Sequence, residues 1–193
     1  IGKCDDLYKT IYPDAEILDA DLYCSPDILP TYSGINKDFL VSPRLDNLTS
    51  VYASIKALIS TNNKGIAIVF ASDNEEIGSE TKQGASSSFL LNVLRKINSS
   101  LAKSEEDFHS SIKNGFLLSI DNGHAVHPAR SELSDIDQRV YLNNGVVIKH
   151  HVNYSTDGVS SSIVKSICKN NDIKFQDYYN NSDIRCGGTI GLV

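Results

Sequence analysis

The sequence predicts an α/β protein, a three-layer sandwich with a mostly parallel central sheet. Two observations lead there. Ile66-Ala67-Ile68-Val69-Phe70-Ala71 and Phe116-Leu117-Leu118-Ser119-Ile120 are continuous apolar runs of strand length, the pattern of strands buried on both faces beneath helices. Around them apolar residues recur at helical spacing, so that strands and helices alternate along the chain.

Taken in order, residues 1–40 read as strand and loop, with prolines at 13, 26 and 30 and another at 43. Leu48, Val51, Tyr52, Ile55, Leu58 and Ile59 share one helical face, predicting a helix over about residues 46–61 that Asn62-Asn63-Lys64-Gly65 terminates. The run 66–71 follows as the first buried strand, and Ser72 to Gln83 is polar and loop-like. Phe89, Val93 and Ile97, with Leu90 and Leu94 beside them, predict a helix over 86–97. A short acidic helix is expected over 103–111. The run 116–120 is the second buried strand and ends at Asp121. Val146-Val147-Ile148 gives a third strand, and Val159, Ile163, Val164, Ile167 and Cys168 a third amphipathic helix.

The 193 residues are 40% hydrophobic and 22% charged, as in soluble globular domains rather than disordered chains. A net charge of −6 without a Lys/Arg stripe argues against nucleic acid as a partner. No apolar run approaches the roughly 20 residues of a membrane span. Cys4, Cys24, Cys168 and Cys186 have no paired short spacing, so reduced thiols in a cytoplasmic protein are expected rather than a zinc knuckle. The chain starts at Ile1 and has no Met, which leads us to expect part of a longer polypeptide.

Carboxylates fall where such a fold binds ligands. The run 66–71 leads into Asp73-Asn74-Glu75-Glu76, and the run 116–120 into Asp121; open α/β sheets bind outside the carboxyl ends of their strands. Asp46 stands at the start of the first helix. Taken alone, each motif has a plain structural explanation: acidic residues offset a helix dipole at its entry, and an Asp caps a helix. Together they gather repelling charge at one sheet edge, which one or two divalent cations would offset. Glu75 and Glu76, adjacent in an expected extended loop, point different ways. One can hold metal while the other takes a proton from water.

His124 and His127, three residues apart just after Asp121, are candidates for metal contact or for supporting groups behind the ligands, with the second preferred. At most one of His150 and His151 can face a site, because side chains alternate along a strand. His109 reads as a solvated helix residue.

The blocks Ser42-Pro43-Arg44-Leu45-Asp46-Asn47-Leu48, Asp73-Asn74-Glu75-Glu76-Ile77-Gly78-Ser79 with Gln83-Gly84-Ala85, and Ser119-Ile120-Asp121-Asn122-Gly123-His124-Ala125-Val126-His127-Pro128 resemble signatures of the aspartyl and vacuolar aminopeptidase family of co-catalytic metallopeptidases. Asn144-Gly145-Val146-Val147-Ile148-Lys149 and Asn181-Ser182-Asp183 leading to Cys186-Gly187-Gly188-Thr189-Ile190-Gly191 agree in order and spacing. The resemblance implies a zinc-exopeptidase-like fold and hydrolysis of the N-terminal, often acidic, residue of a peptide. It implies two divalent metal ions, zinc first and manganese or cobalt as alternatives. Asp46 would bridge the ions, Glu76 and Asp121 would each hold one, and Glu75 would be the catalytic base. Lys149, Gly188 and Thr189 would line the substrate side-chain pocket. The family assembles as a dodecamer in the cytosol or vacuole, which implies peptide substrates and further copies of the chain as partners, and a cytoplasmic setting.

The family's two histidine ligands and its inserted oligomerisation domain have no match here. Residues 1–193 are therefore expected to form part of the catalytic domain, with half-formed metal sites. Two rival readings remain: a related deblocking aminopeptidase or deacylase, and a non-catalytic assembly or cargo homologue. Intact Glu75 speaks against the latter, since a scaffold needs no general base.

Overall fold

A computed structural model describes residues 4–184 and 186–188. These fall into two units divided between Pro43 and Arg44. The first holds helix α1 (Cys4–Ile11) and an antiparallel hairpin of β1 (Thr31–Ser33) and β2 (Phe39–Val41), with Tyr32 opposite Leu40. Gly34 makes the hairpin turn at φ +91°, in the left-handed region glycine enters without strain. The expectation of strand and loop therefore holds for the hairpin and fails for α1. Leu7 and Ile11, four residues apart, are the periodic signal that a fuller reading of this stretch contains.

The second unit contains α2 (Leu45–Ser60), α3 (Phe89–Ser100), α4 (Glu105–Lys113), β3 (Val146–His150), α5 (Gly158–Asn170) and β4 (Phe175–Tyr179). The predicted helices are all present, with boundaries moved by local hydrogen bonds. Ser104 caps α4, accepting from the Asp107 N–H at 3.1 Å while Asp107 accepts from the Ser104 N–H at 2.9 Å; this capping box sets the start at 105. Asp157 and Ser160 form the equivalent box on α5. The third helix begins at 89 rather than 86, because residues 79–87 are tied into a turn: Ser86 N–H donates to the Ser79 carbonyl at 3.1 Å, and Ser87 N–H to Gly84 at 3.1 Å. A Cβ on Gly84 would collide with the Ser79 carbonyl.

Strands β3 and β4 pair in parallel, Val146 with Phe175 through His150 with Tyr179, connected through α5. This pair is the parallel sheet observed. The two predicted buried strands, 66–71 and 116–120, are in no ladder among the described residues. The apolar face of α2 is likewise uncovered, with Leu48, Tyr52 and Ile59 exposed. The chain is thus α/β, and three layers are not formed among the described residues. Among the described residues the buried apolar side chains are Ala85, Phe108, Val140, Ile148, Cys168 and Cys186.

Alternation along β3 separates two sets of charges. Val147 and Lys149 face Gly123, while His150 turns to the other side. There Asp177 Oδ1 accepts from Lys165 Nζ of α5 and meets His150 Nε2, each at 2.7 Å, and the His150 ring stacks on Tyr179. Burial alone would raise the Asp177 pKa, but the hydrogen bonds from Lys165 and His150 outweigh it and hold the carboxyl below the usual range. A depressed carboxyl pKa adds stability that is full above the unfolded-state value, about 3.9, and is lost as pH falls through the folded one. Asp177→Asn should therefore lower the melting temperature at pH 7, by about 1 kcal/mol in stability for a partly exposed pair. The difference from the parent should shrink below about pH 4, as thermal melts across pH would show.

Candidate metal centre

Asp46, Glu75, Glu76 and Asp121 all line one cavity of about 690 Å³ in the second unit. Three local devices bring them there. Asp46 sits at φ −85°, ψ 113°, outside helical geometry, so the regular part of α2 starts after Asn47. Asp46 therefore does not act as the helix cap: Arg44 occupies that position and its side chain makes no capping bond.

Glu75 and Glu76 lie in a single 3₁₀ turn, Glu75–Ile77, rather than in the extended loop expected. With about three residues per turn, neighbouring side chains still diverge by about 120°. The turn is closed from both sides. Asn74 is left-handed at φ 61° and accepts from Thr81 Oγ1 at 2.7 Å, Gly78 N–H donates to the Glu75 carbonyl at 2.9 Å, and Asp73 N–H donates to Gln83 at 3.3 Å. Helix α3 begins at residue 89, too far along for these carboxylates to offset its dipole.

Asp121 is fixed through its neighbour. Asn122 Nδ2 donates to the Leu45 carbonyl and to Thr49 Oγ1, both at 2.9 Å, and its Oδ1 accepts from buried Ser50 Oγ at 2.8 Å. Asn47 Nδ2 adds a bond to the Ile120 carbonyl at 2.9 Å. These bonds lace the end of the run 116–120 to the first turn of α2, across more than 70 residues. Nothing in periodicity or charge marked Asn122 or Asn47; the one sequence signal was their place beside Asp121 and Asp46.

The electrostatics follow from crowding. Burial first, then the charges of Asp121 and Glu76, and a hydrogen bond with Asp121, raise the Asp46 pKa, against Lys149. Burial first, then Asp121, Glu76 and Asp46, raises Glu75, again opposed by Lys149. Lys149 Nζ is the local cation, 3.0 Å from Asp121 Oδ2 and 3.2 Å from the Asn122 carbonyl, above the Tyr154 ring. Sequence reasoning missed the aromatic side of this site. Burial, with a Cys186 hydrogen bond, pushes the Tyr154 phenol up, and burial and Cys186 do the same to Tyr178.

The other predicted residues lie around this centre. The ring of His124 packs edge-on against Tyr178, whose backbone pairs with Lys149. His127 Nδ1 accepts from the Ala129 N–H at 3.2 Å. Asn153 Nδ2 reaches the carbonyls of Cys186 and Gly187, which brings the stretch containing Gly188 beside the 152–154 turn. Thr189 lies outside the described residues.

The donors suit a divalent cation in type, being crowded carboxylates that one lysine only partly balances. Among the described residues no three His, Cys, Asp or Glu side chains converge closely enough to hold an ion. Nor is any helix among them long and apolar enough to cross a membrane.

Comparison with known proteins gives the family. Residues 8–193 match the profile of the aminopeptidase I zinc metalloproteases, M18. The chain is 41% identical to a probable M18 family aminopeptidase 2 of Clostridium novyi, over 99% of its own length and 46% of the relative's. It is 33% identical to a probable aspartyl aminopeptidase of Ricinus communis, over 93% of its length and 38% of the relative's. Among solved structures, it superposes on the yeast mApe1 dodecamer with a TM-score of 0.65 at 31% identity, covering 78% of this chain and 36% of that one. The class is that of the zinc metalloproteases, and the chain belongs to their M18 family. It spans less than half the length of these relatives.

The three side-chain bonds of Asn122 predict that Asn122→Leu, similar in size but without hydrogen bonds, will cost about 3 kcal/mol, given about 1 kcal/mol per bond lost. Denaturant unfolding measures the loss, and amide exchange should locate it at the start of α2.

Proposed function

We propose that this chain supplies the carboxylate half of a two-metal centre in an aminopeptidase that removes the first residue of a peptide. The observation supporting this is that Asp46, Glu75, Glu76 and Asp121 all line one cavity, with burial and mutual repulsion raising the pKa of Asp46 and of Glu75. Asp46 would be the shared ligand of two divalent ions, with Glu76 on one and Asp121 on the other; zinc is the first choice, manganese and cobalt the substitutes. Such ions, when bound, polarise the scissile carbonyl and let water attack at neutral pH. Glu75 takes the proton of the attacking water and delivers it to the leaving amine. A carboxyl held above its usual range suits a group that must carry a proton between two steps.

Lys149 would have two duties. In this structure its ammonium neutralises Asp121. With another cation on Asp121, it is freed towards the side-chain carboxylate of an acidic first residue, a preference that the Ricinus relative's name supports. Gly188 and Thr189 would line that pocket, and His124 and His127 would support it from behind. Assembly into a dodecamer is proposed from the yeast relative. The three-layer sandwich, completed by the rest of a family-length chain, and a cytoplasmic setting belong to the same reading.

In a family-length protein carrying these residues, Glu75→Gln should keep its zinc, read by elemental analysis, and lose about 10²–10⁴-fold in kcat. Turnover close to the parent's would rule Glu75 out as the base. Lys149→Met should lower kcat/KM for peptides with an acidic first residue at least tenfold relative to those beginning with alanine. Equal losses on both would assign Lys149 to Asp121 alone.

A further inference from the structure

Past the end of β3 the chain enters the short turn 152–154, and His151 starts it. The His151 backbone, at φ −168° and ψ 156°, is extended and carries the alternation of β3 one residue further. His151 therefore falls on the side of Lys149, away from His150 and Asp177. Its contacts agree with that placement. The His151 ring meets the Tyr154 ring edge-on, 5.9 Å between centroids, and Lys149 Nζ stands 5.6 Å from the centre of the same Tyr154 ring.

His151 also fastens the turn. Its Nδ1 accepts from the Asn153 N–H at 3.1 Å, its carbonyl accepts from the Tyr154 N–H at 3.0 Å, and the Ser155 N–H closes on the Val152 carbonyl at 3.2 Å. Ser, Thr, Asp or Asn ordinarily supplies such a cap; here an imidazole does. Because the donor is a backbone N–H, Nδ1 can only accept, which puts the proton of the neutral ring on Nε2. Asn153, held by its backbone, extends Nδ2 to the carbonyls of Cys186 and Gly187, and a side-chain bond joins Tyr154 to Cys186. One three-residue turn thus connects Lys149 with the stretch leading into Gly188, and a single ring nitrogen ties its start.

We infer that His151 is a positioning residue for the pocket that takes an acidic first residue: with Nδ1 unprotonated it holds the turn 152–154 against Lys149, and protonation releases the turn. The inference rests on the reading of Lys149 given above. An imidazolium is a donor at both nitrogens, so Nδ1 can no longer accept from Asn153, and histidine is the side chain that ordinarily changes charge between about pH 5 and 8. Tyr154 is the titratable group against the His151 ring. Around Tyr154 stand Lys149 of β3, Asp121 at the end of the run 116–120, Tyr178 of β4 and Cys186. Burial pushes both phenols up, so they stay neutral across that range, and Lys149 and Asp121 pair at 3.0 Å.

Two variants of a family-length protein carrying these residues test the inference: His151→Leu removes the acceptor, and His151→Asn keeps an uncharged one. His151→Leu should raise KM for peptides with an acidic first residue at least fivefold more than KM for those beginning with alanine, a split that a general loss of packing would not produce. His151→Asn should restore the parent's ratio. Between about pH 7.5 and 5.5 the parent's preference for the acidic peptide in kcat/KM should fall at least fivefold, while that of His151→Asn holds within twofold. Hydrogen exchange by mass spectrometry, corrected for the intrinsic effect of pH, reads the turn without turnover. Uptake in residues 151–155 should rise over the same drop in pH in the parent and not in His151→Asn. The inference is overturned if His151→Leu shifts both KM values alike, if His151→Asn fails to restore the ratio, or if parent and His151→Asn respond alike to pH by either measure. A parent that cleaves neither peptide would instead overturn the aminopeptidase reading, and exchange alone would then decide whether His151 holds the turn.

Discussion

Like charge held at close quarters is the constraint around which the second unit is organised. Four carboxylates share one cavity wall, and the charge of Lys149 opposes them. Left to themselves they would separate, so the backbone that carries them has to be restrained. Asn122 and Asn47 provide the restraint on one side, tying the chain before and after Asp121 to the start of α2. The closed turn from Asp73 to Gly84 provides it on the other. Both sets of bonds join neutral groups, which suits them to hold charges in place without adding to them.

How much of this was legible in the sequence depended on the range of the interaction. Helices α2, α3, α4 and α5 follow from apolar spacing, a local property. Their exact starts do not, because a capping residue such as Ser104 or a turn such as that around Gly84 outweighs periodicity at a boundary. The runs 66–71 and 116–120 were readable as apolar segments of strand length. Whether they pair was not, since pairing is a property of what lies beside them. In the same way, the amphipathic face of α2 predicted a covering layer that the described residues do not contain.

The acidic residues were legible as a set, because several motifs coincided with segment ends. Their mutual distances were not. Asp46 reads as a helix cap in sequence and leaves that duty to Arg44's position in three dimensions, since its backbone is not helical. The bonds of Asn122 span more than 70 residues and obey no period. Tyr154, Tyr178 and Cys186 escaped for a similar reason: each looks like ordinary core until β3 and β4 bring them round Lys149.

Strand β3 has one more consequence. Lys149 and His150 are adjacent in the chain yet belong to separate electrostatic systems, one on Asp121 and the other on Asp177 and Lys165. A single peptide unit therefore divides the residue that meets the carboxylate cluster from the residue that fastens the βαβ unit together. Variation at one codon is filtered by ligand handling, and at the next by folding alone. Two neighbouring positions can thus drift under different selective pressures, and an engineer could retune one face without loosening the other.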